Sequence, residues 1–158
     1  MLPKQQLTKE QALQKLKHFC AYQERCHAEV KEKLYYLGVL KKEHDEIMAT
    51  LIEEKYLDEE RFASAYAGGK FRIKKWGRIK IRHALQQKQV SEYSIKKALK
   101  GIQEEEYRKT LAKLAKSKYN SLKSAPPLIR KQKTIGYLMQ KGFESQLVNE
   151  SVKRLTAK

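Results

Sequence analysis

The chain has 158 residues, with 35 Lys and Arg against 18 Asp and Glu, for a formal net charge of +17. Apolar residues make up 41% of it, which is enough to bury a core and excludes wholesale disorder. No stretch approaches the roughly 18 consecutive apolar residues of a membrane-spanning helix. Only 7 Gly and 3 Pro punctuate a sequence rich in Lys, Leu, Glu, Gln and Ala, so the chain should be helical.

The first six residues, Met-Leu-Pro-Lys-Gln-Gln, lack the apolar core of a secretory signal, and a cytosolic location is expected. Apolar periodicity predicts helices over 8–23, 26–37 and 41–56. Thr8-x-x-Gln11 is a capping box, and Gly38 suits a left-handed helix end. Cys20 and Cys26 are the only cysteines and are expected to be reduced thiols. With His18 and His27 they fit no standard zinc spacing, and no metal or other cofactor is expected. Residues 43–60 hold eight carboxylates and one Lys. They are read first as a solvated helix face with capping glutamates, and second as a contact to a basic surface, in this chain or another.

Helices follow over 58–75, 77–89 and 91–101, then over 103–121, 127–141 and 144–156. Asp58 is a good N-cap, and Pro127 sits at a tolerated first helical position. Three units resemble one another. Val30-x3-Leu34-x3-Gly38-Val39 recurs 51 residues on as Ile81-x3-Leu85-x3-Gln89-Val90, and 53 further on as Thr134-x3-Leu138-x3-Gly142-Phe143. Gln89 breaks the glycine pattern and predicts a strained or different cap. The expected architecture is therefore all-α: an elongated array of three tandem three-helix repeats, 1–57, 58–102 and 103–158.

The second repeat carries the charge. Between Gly68 and Lys100 stand eleven Lys or Arg and one carboxylate, Glu92. Such a surface implies a polyanionic partner, nucleic acid being the commonest. Phe62, Tyr66, Gly69 and Ile73 are spaced as a buried stripe, with Lys70 and Lys74 beside it. Lys70, Arg72, Lys74, Lys75, Arg78, Lys80 and Arg82 are the candidate contacts, with Lys88 nearby and with Arg130, Lys131 and Lys133 extending the footprint in the third repeat. Trp76 and Phe71 either stack on unpaired bases or anchor the core at a helix junction. The Gly68-Gly69 pair either bends its helix or admits a neighbouring backbone.

Scattered histidines and the absence of a phosphate-binding loop or nucleophile elbow argue against an enzyme. A helix-turn-helix reader lacks a polar row for base edges. A basic helical module acting directly on DNA without a protein partner remains an alternative, as does a binder of ribosomal RNA, because charge alone does not name the polyanion.

The central segment resembles the RecX family, regulators of the RecA recombinase. The resemblance rests on Leu57-Asp58-Glu59-Glu60-Arg61-Phe62-Ala63, on Lys75-Trp76-Gly77-Arg78-Ile79-Lys80-Ile81-Arg82, and on Ala84-Leu85-x-x-Lys88-x-Val90. Gln89, in place of the usual glycine, and the Gly68-Gly69 pair depart from the family pattern. The resemblance implies a non-catalytic protein; beside it, a monomer that needs no cofactor and touches no membrane is expected. Its implied partners are the RecA filament and its single- or double-stranded DNA. Its implied action is to limit filament growth, ATPase and strand exchange in DNA repair and recombination.

Overall fold

The computed structural model describes residues 7–157. The Met1–Gln6 segment, read above as no secretory signal, lies outside them. Nine α-helices and no strands are found among the described residues, and the chain is an all-α array of three-helix repeats. None of these helices is long and apolar enough to cross a membrane.

The helices are α1 (Lys9–Tyr22), α2 (His27–Tyr36), α3 (His44–Glu53), α4 (Glu59–Gly69), α5 (Arg78–Gln87), α6 (Glu92–Lys100), α7 (Glu104–Ser121), α8 (Pro127–Gln140) and α9 (Ser145–Thr156). A 3₁₀ turn, Lys41–Glu43, precedes α3, and a π-helical turn, Lys70–Lys74, prolongs α4. Local chemistry explains the ends. The Thr8 hydroxyl accepts from Gln11 N while the Gln11 side chain accepts from Thr8 N. Asp58 Oδ1 accepts from Arg61 N at 3.0 Å.

The repeated motif has a common physical form. Val30, Leu34 and Val39 are buried, as are Ile81, Leu85 and Val90, and Thr134, Leu138 and Phe143. At each end the second residue after the helix adopts a left-handed conformation: Gly38 (φ 73°), Gln89 (φ 62°) and Gly142 (φ 98°). The next amide then reaches back five residues, Val39 N to Leu34 O, Val90 N to Leu85 O and Phe143 N to Leu138 O. This is the Schellman closure, with an apolar contact across the turn. Gln89 keeps the geometry without glycine, so its cap is the strained one.

The chain forms two compact units. The first runs through Ala65 and takes in Leu85–Lys97; the second comprises Tyr66–Ala84 and the chain from Ala98 onward. The first is built on Leu16, Leu34, Ile47 and Leu51, all fully buried, with Cys20 in the same cluster. Cys20 and Cys26 are free, buried thiols, and burial pushes both up from the usual thiol range, away from the reactive thiolate. Carboxylates of the acidic stretch serve this unit internally. Glu46 pairs with Lys9, Glu54 with Lys17 and Glu60 with Lys97.

In the second unit α7, α8 and α9 pack pairwise. Tyr107, Leu111, Ala115, Leu138, Phe143, Val148 and Val152 fill its centre. The Tyr107 ring lies 5.7 Å from Phe71 and 5.1 Å from Phe143.

Two expectations are corrected. The stripe Phe62, Tyr66, Gly69 and Ile73 is not the buried one. Phe62, Ala63, Ala67 and Phe71 are buried, while Ile73 is 78% exposed. Burial steps four residues at a time from Ala63 to Ala67 to Phe71, and Ile73 stands roughly half a turn past Phe71. The close backbone approach sought at Gly68-Gly69 occurs instead at Gly77. A Cβ on Gly77 would collide with the Gly142 carbonyl and Phe143 N, whereas one on Gly69 meets nothing within 4 Å.

Candidate polyanion-binding site

The basic run is shaped by how its ends are closed. The π turn leaves Lys75 left-handed (φ 59°), with Trp76 N donating to Lys70 O at 3.2 Å. The start of α5 then docks on the turn after α8. Gly77 N donates to Lys141 O at 2.8 Å and Ile79 N to Gly142 O at 3.0 Å. Arg78 N donates to the Tyr107 hydroxyl at 2.9 Å. Three amides at a helix start, which normally lack intrahelical partners, are thereby satisfied by the third repeat.

This docking gathers the lysines. Lys141 Nζ donates to Lys74 O at 2.7 Å, which places it at the π turn. Lys70 and Lys80 stand 4.9 and 4.8 Å from the centre of the half-buried Trp76 ring. Lys75 Nζ donates to Arg72 O at 2.7 Å. The Lys141 ammonium is held below the usual lysine range, first by burial, then by repulsion from Lys80, Lys74 and Lys75. A depressed lysine whose neighbours are lysines marks a local excess of positive charge. An anion placed here would relieve it.

The sequence-predicted residues divide. Lys70, Lys74, Lys75, Trp76 and Lys80 come together, with Lys141 added. Arg72 is exposed beside them, and Arg82 is half-buried on α5. Lys88 belongs to the other compact unit. Lys131 and Lys133 are exposed near the start of α8, roughly 15 Å along the helix from Lys141. Arg130 is tied to α7: its Nε donates to Tyr119 O at 2.7 Å and its guanidinium covers the Tyr119 ring at 3.6 Å. Phe71 is a core residue.

Arg78 has a different occupation. Its guanidinium covers the Tyr107 ring at 3.7 Å and pairs with Glu144 at 2.8 Å and Glu104 at 2.5 Å. Burial opposes its charge, but the two carboxylates outweigh burial and raise its pKa further. The Tyr107 hydroxyl in turn donates to Glu144, and burial followed by that hydrogen bond pushes the phenol far above its ordinary range. Arg78 therefore holds the docked turn in place. Sequence reasoning missed Lys141, Tyr107, Glu104 and Glu144. Each lies in the third repeat, and no spacing within the basic run points to it.

Comparison with known proteins locates this arrangement. Residues 58–99 match the family model described as RecX, second three-helix domain, and 104–152 the one described as RecX, third three-helix domain. A Regulatory protein RecX of Clostridium perfringens is 35% identical over 130 residues, 81% of this chain and 60% of that protein. The chain thus spans well under two thirds of that relative's length. A Regulatory protein RecX of Chlorobaculum tepidum is 30% identical over 126 residues, covering 80% of this chain and 76% of the relative. The crystal structure of RecX from Lactobacillus salivarius superposes with a TM-score of 0.86 at 20% identity, over 93% of this chain and 96% of that one. At that identity the likeness establishes the fold.

Proposed function

Since the chain belongs to the RecX family, whose matched relatives are named regulatory proteins, we propose that it is a non-catalytic regulator of a recombinase–DNA filament. Its lysine turn would sit against phosphate of the filament's DNA. Lys70, Lys74, Lys75, Lys80 and Lys141 supply the charge around Trp76, while Arg78 positions the turn. Arg72 and Arg82 flank the cluster, and Lys88, Arg130, Lys131 and Lys133 extend the basic surface as secondary contacts. The observation that carries this reading is the gathering of Lys70, Lys80 and Lys141 around Trp76 and the π turn, with Lys141 Nζ on Lys74 O. Ile73 and Ile79, 78% and 52% exposed within the same segment, support a protein component in the partner. Bare phosphate gains little from an isoleucine, and a recombinase surface can bury one. Limiting filament growth, ATPase and strand exchange would follow from occupying the filament's DNA-bearing groove. The reading places the protein in the cytoplasm, as a monomer acting in DNA repair and recombination.

The test is the single-stranded-DNA-dependent ATPase of RecA from the same organism, titrated with this protein. Free DNA binding is measured at the same salt. Inhibition at concentrations too low to coat the free DNA is the expected result. An unaffected ATPase together with tight binding to naked duplex would replace this reading with that of a DNA-binding module acting alone.

A further inference from the structure

The first compact unit contains a cationic concavity that the lysine turn does not use. Lys15, Phe19 and Tyr22 of α1, Arg25 of the following loop, and Lys33 and Tyr36 of α2 line a cavity of about 650 Å³. That lies within the roughly 300–1,000 Å³ of small-ligand sites. Among the described residues no carboxylate lines it.

Two of its cations, Arg25 and Lys33, lie against its rings. The Arg25 guanidinium covers Phe19 at 3.7 Å, and Arg25 Nε donates to Phe19 O at 2.9 Å. Lys33 Nζ stands 5.4 Å from the Phe19 ring centre and 5.2 Å from that of Tyr36. Phe19 is thus already covered. Tyr22 is 83% exposed, and Tyr36, with the Lys33 ammonium over one side of its ring, is still 42% exposed. One exposed tyrosine needs no explanation, but two at one cationic concavity do.

We propose that this cavity is a stacking site for unpaired nucleotides of single-stranded nucleic acid. A base lies against Tyr22 and Tyr36, and Lys15, Arg25 and Lys33 meet the flanking phosphates. Aromatic platforms combined with cations are how single strands are held without sequence preference. An acidic peptide would use the cations and leave both rings idle. The inference goes beyond the filament reading and does not rest on it, because it concerns different residues and needs unpaired bases.

The test uses the full chain, a labelled oligothymidylate, a duplex of equal length, and anisotropy at one fixed salt concentration. Tyr22→Ala/Tyr36→Ala is expected to weaken single-strand binding about tenfold or more and to leave duplex binding unchanged. Tyr22→Phe/Tyr36→Phe keeps both platforms and retains binding. Lys74→Glu/Lys80→Glu weakens both ligands. Unchanged single-strand affinity in the alanine variant, an equal loss on the duplex, or displacement of the oligonucleotide by polyglutamate at lower concentration than by unlabelled oligothymidylate would each overturn the proposal. Should the alanine variant lose helical circular dichroism, photocrosslinking of an iododeoxyuridine oligonucleotide to the unaltered chain decides. Adducts at Tyr22 or Tyr36 support the site, and adducts confined to Trp76 exclude it.

Discussion

Away from the cavity between α1 and α2, cations of the first compact unit face carboxylates. Lys9 pairs with Glu46, Lys17 with Glu54, Arg61 with Glu24 at 2.6 Å and Lys97 with Glu60 at 2.8 Å. At the π turn of the second unit lysines face lysines, and Lys141 is depressed first by burial and then by three of them. Composition already tilts the two regions, with eight carboxylates in 43–60 and a single one between Gly68 and Lys100. Folding then decides which individual cations gain an opposite charge. The contrast is sharpest within one short run, where Arg78 holds two carboxylates while Lys74, two residues before Trp76, neighbours other lysines.

The largest expected effect sets Arg78 apart from its neighbours. Arg78→Glu would place a third carboxylate against Glu104 and Glu144 and undo the Tyr107 contact. Arg78 is mostly buried but Glu104 is 56% exposed, so the loss should fall below the roughly 3–5 kcal/mol of a fully buried pair. Urea unfolding is expected to show that loss, while molecules that remain folded at low temperature keep their affinity for a phosphate polymer. A stable Arg78→Glu protein with abolished binding would place Arg78 with the contacts.

The converse substitution is Lys74→Glu/Lys80→Glu. Lys74 is exposed, and Lys80 lies along Trp76, so neither change breaks an ion pair shown here. Stability should move by about 0.5 kcal/mol or less, or rise as repulsion around Lys141 falls. Affinity for DNA should drop about 10- to 100-fold near 50 mM salt, with the slope of log K on log salt shallower by about two. An unchanged salt slope would remove this turn from the interface.

How much of this was legible depended on distance along the chain. The helices and their three closures follow from local chemistry: Leu34, Leu85 and Leu138 each sit five residues before the apolar residue that closes the turn. The fate of Arg78 does not, because its carboxylates are 26 and 66 residues away. Lys141 escaped notice for the same reason, being 67 residues from the carbonyl that holds it. The stripe through Ile73 is not the inner one because small Ala67, rather than aromatic Tyr66, lies on the buried face. Gln89 was legible as an anomaly, and its left-handed φ of 62° fits that reading. Gln89→Gly should therefore stabilise the chain by about 1 kcal/mol, read as a raised urea midpoint. Lost stability would mean that the Gln89 side chain contributes more than its backbone costs.

The smallest effects separate the two regions by pH. Burial pushes the Glu59 carboxyl up, but hydrogen bonds from Ser91 and Ser94, at 2.5 and 2.8 Å, outweigh it and hold the group below the usual carboxylate range. Its contribution is present above that range and lost as the pH falls through the depressed value. Lys141 is depressed too, but for a base this is a cost. The unfolded chain binds the proton more tightly, so the penalty is full at neutral pH and is relieved as the pH rises through the lowered value towards the ordinary lysine range. Stability thus climbs with pH at both ends of the scale, from a paired charge in one unit and an unpaired cluster in the other. Amide exchange at Ser94 should report the acid limb, and fluorescence of Trp76, the only tryptophan, the alkaline one. A saturating phosphate polymer should flatten the alkaline limb alone, because it supplies the lysine turn with a counter-charge, whereas Glu59 is an anion already held by hydrogen bonds from its serines.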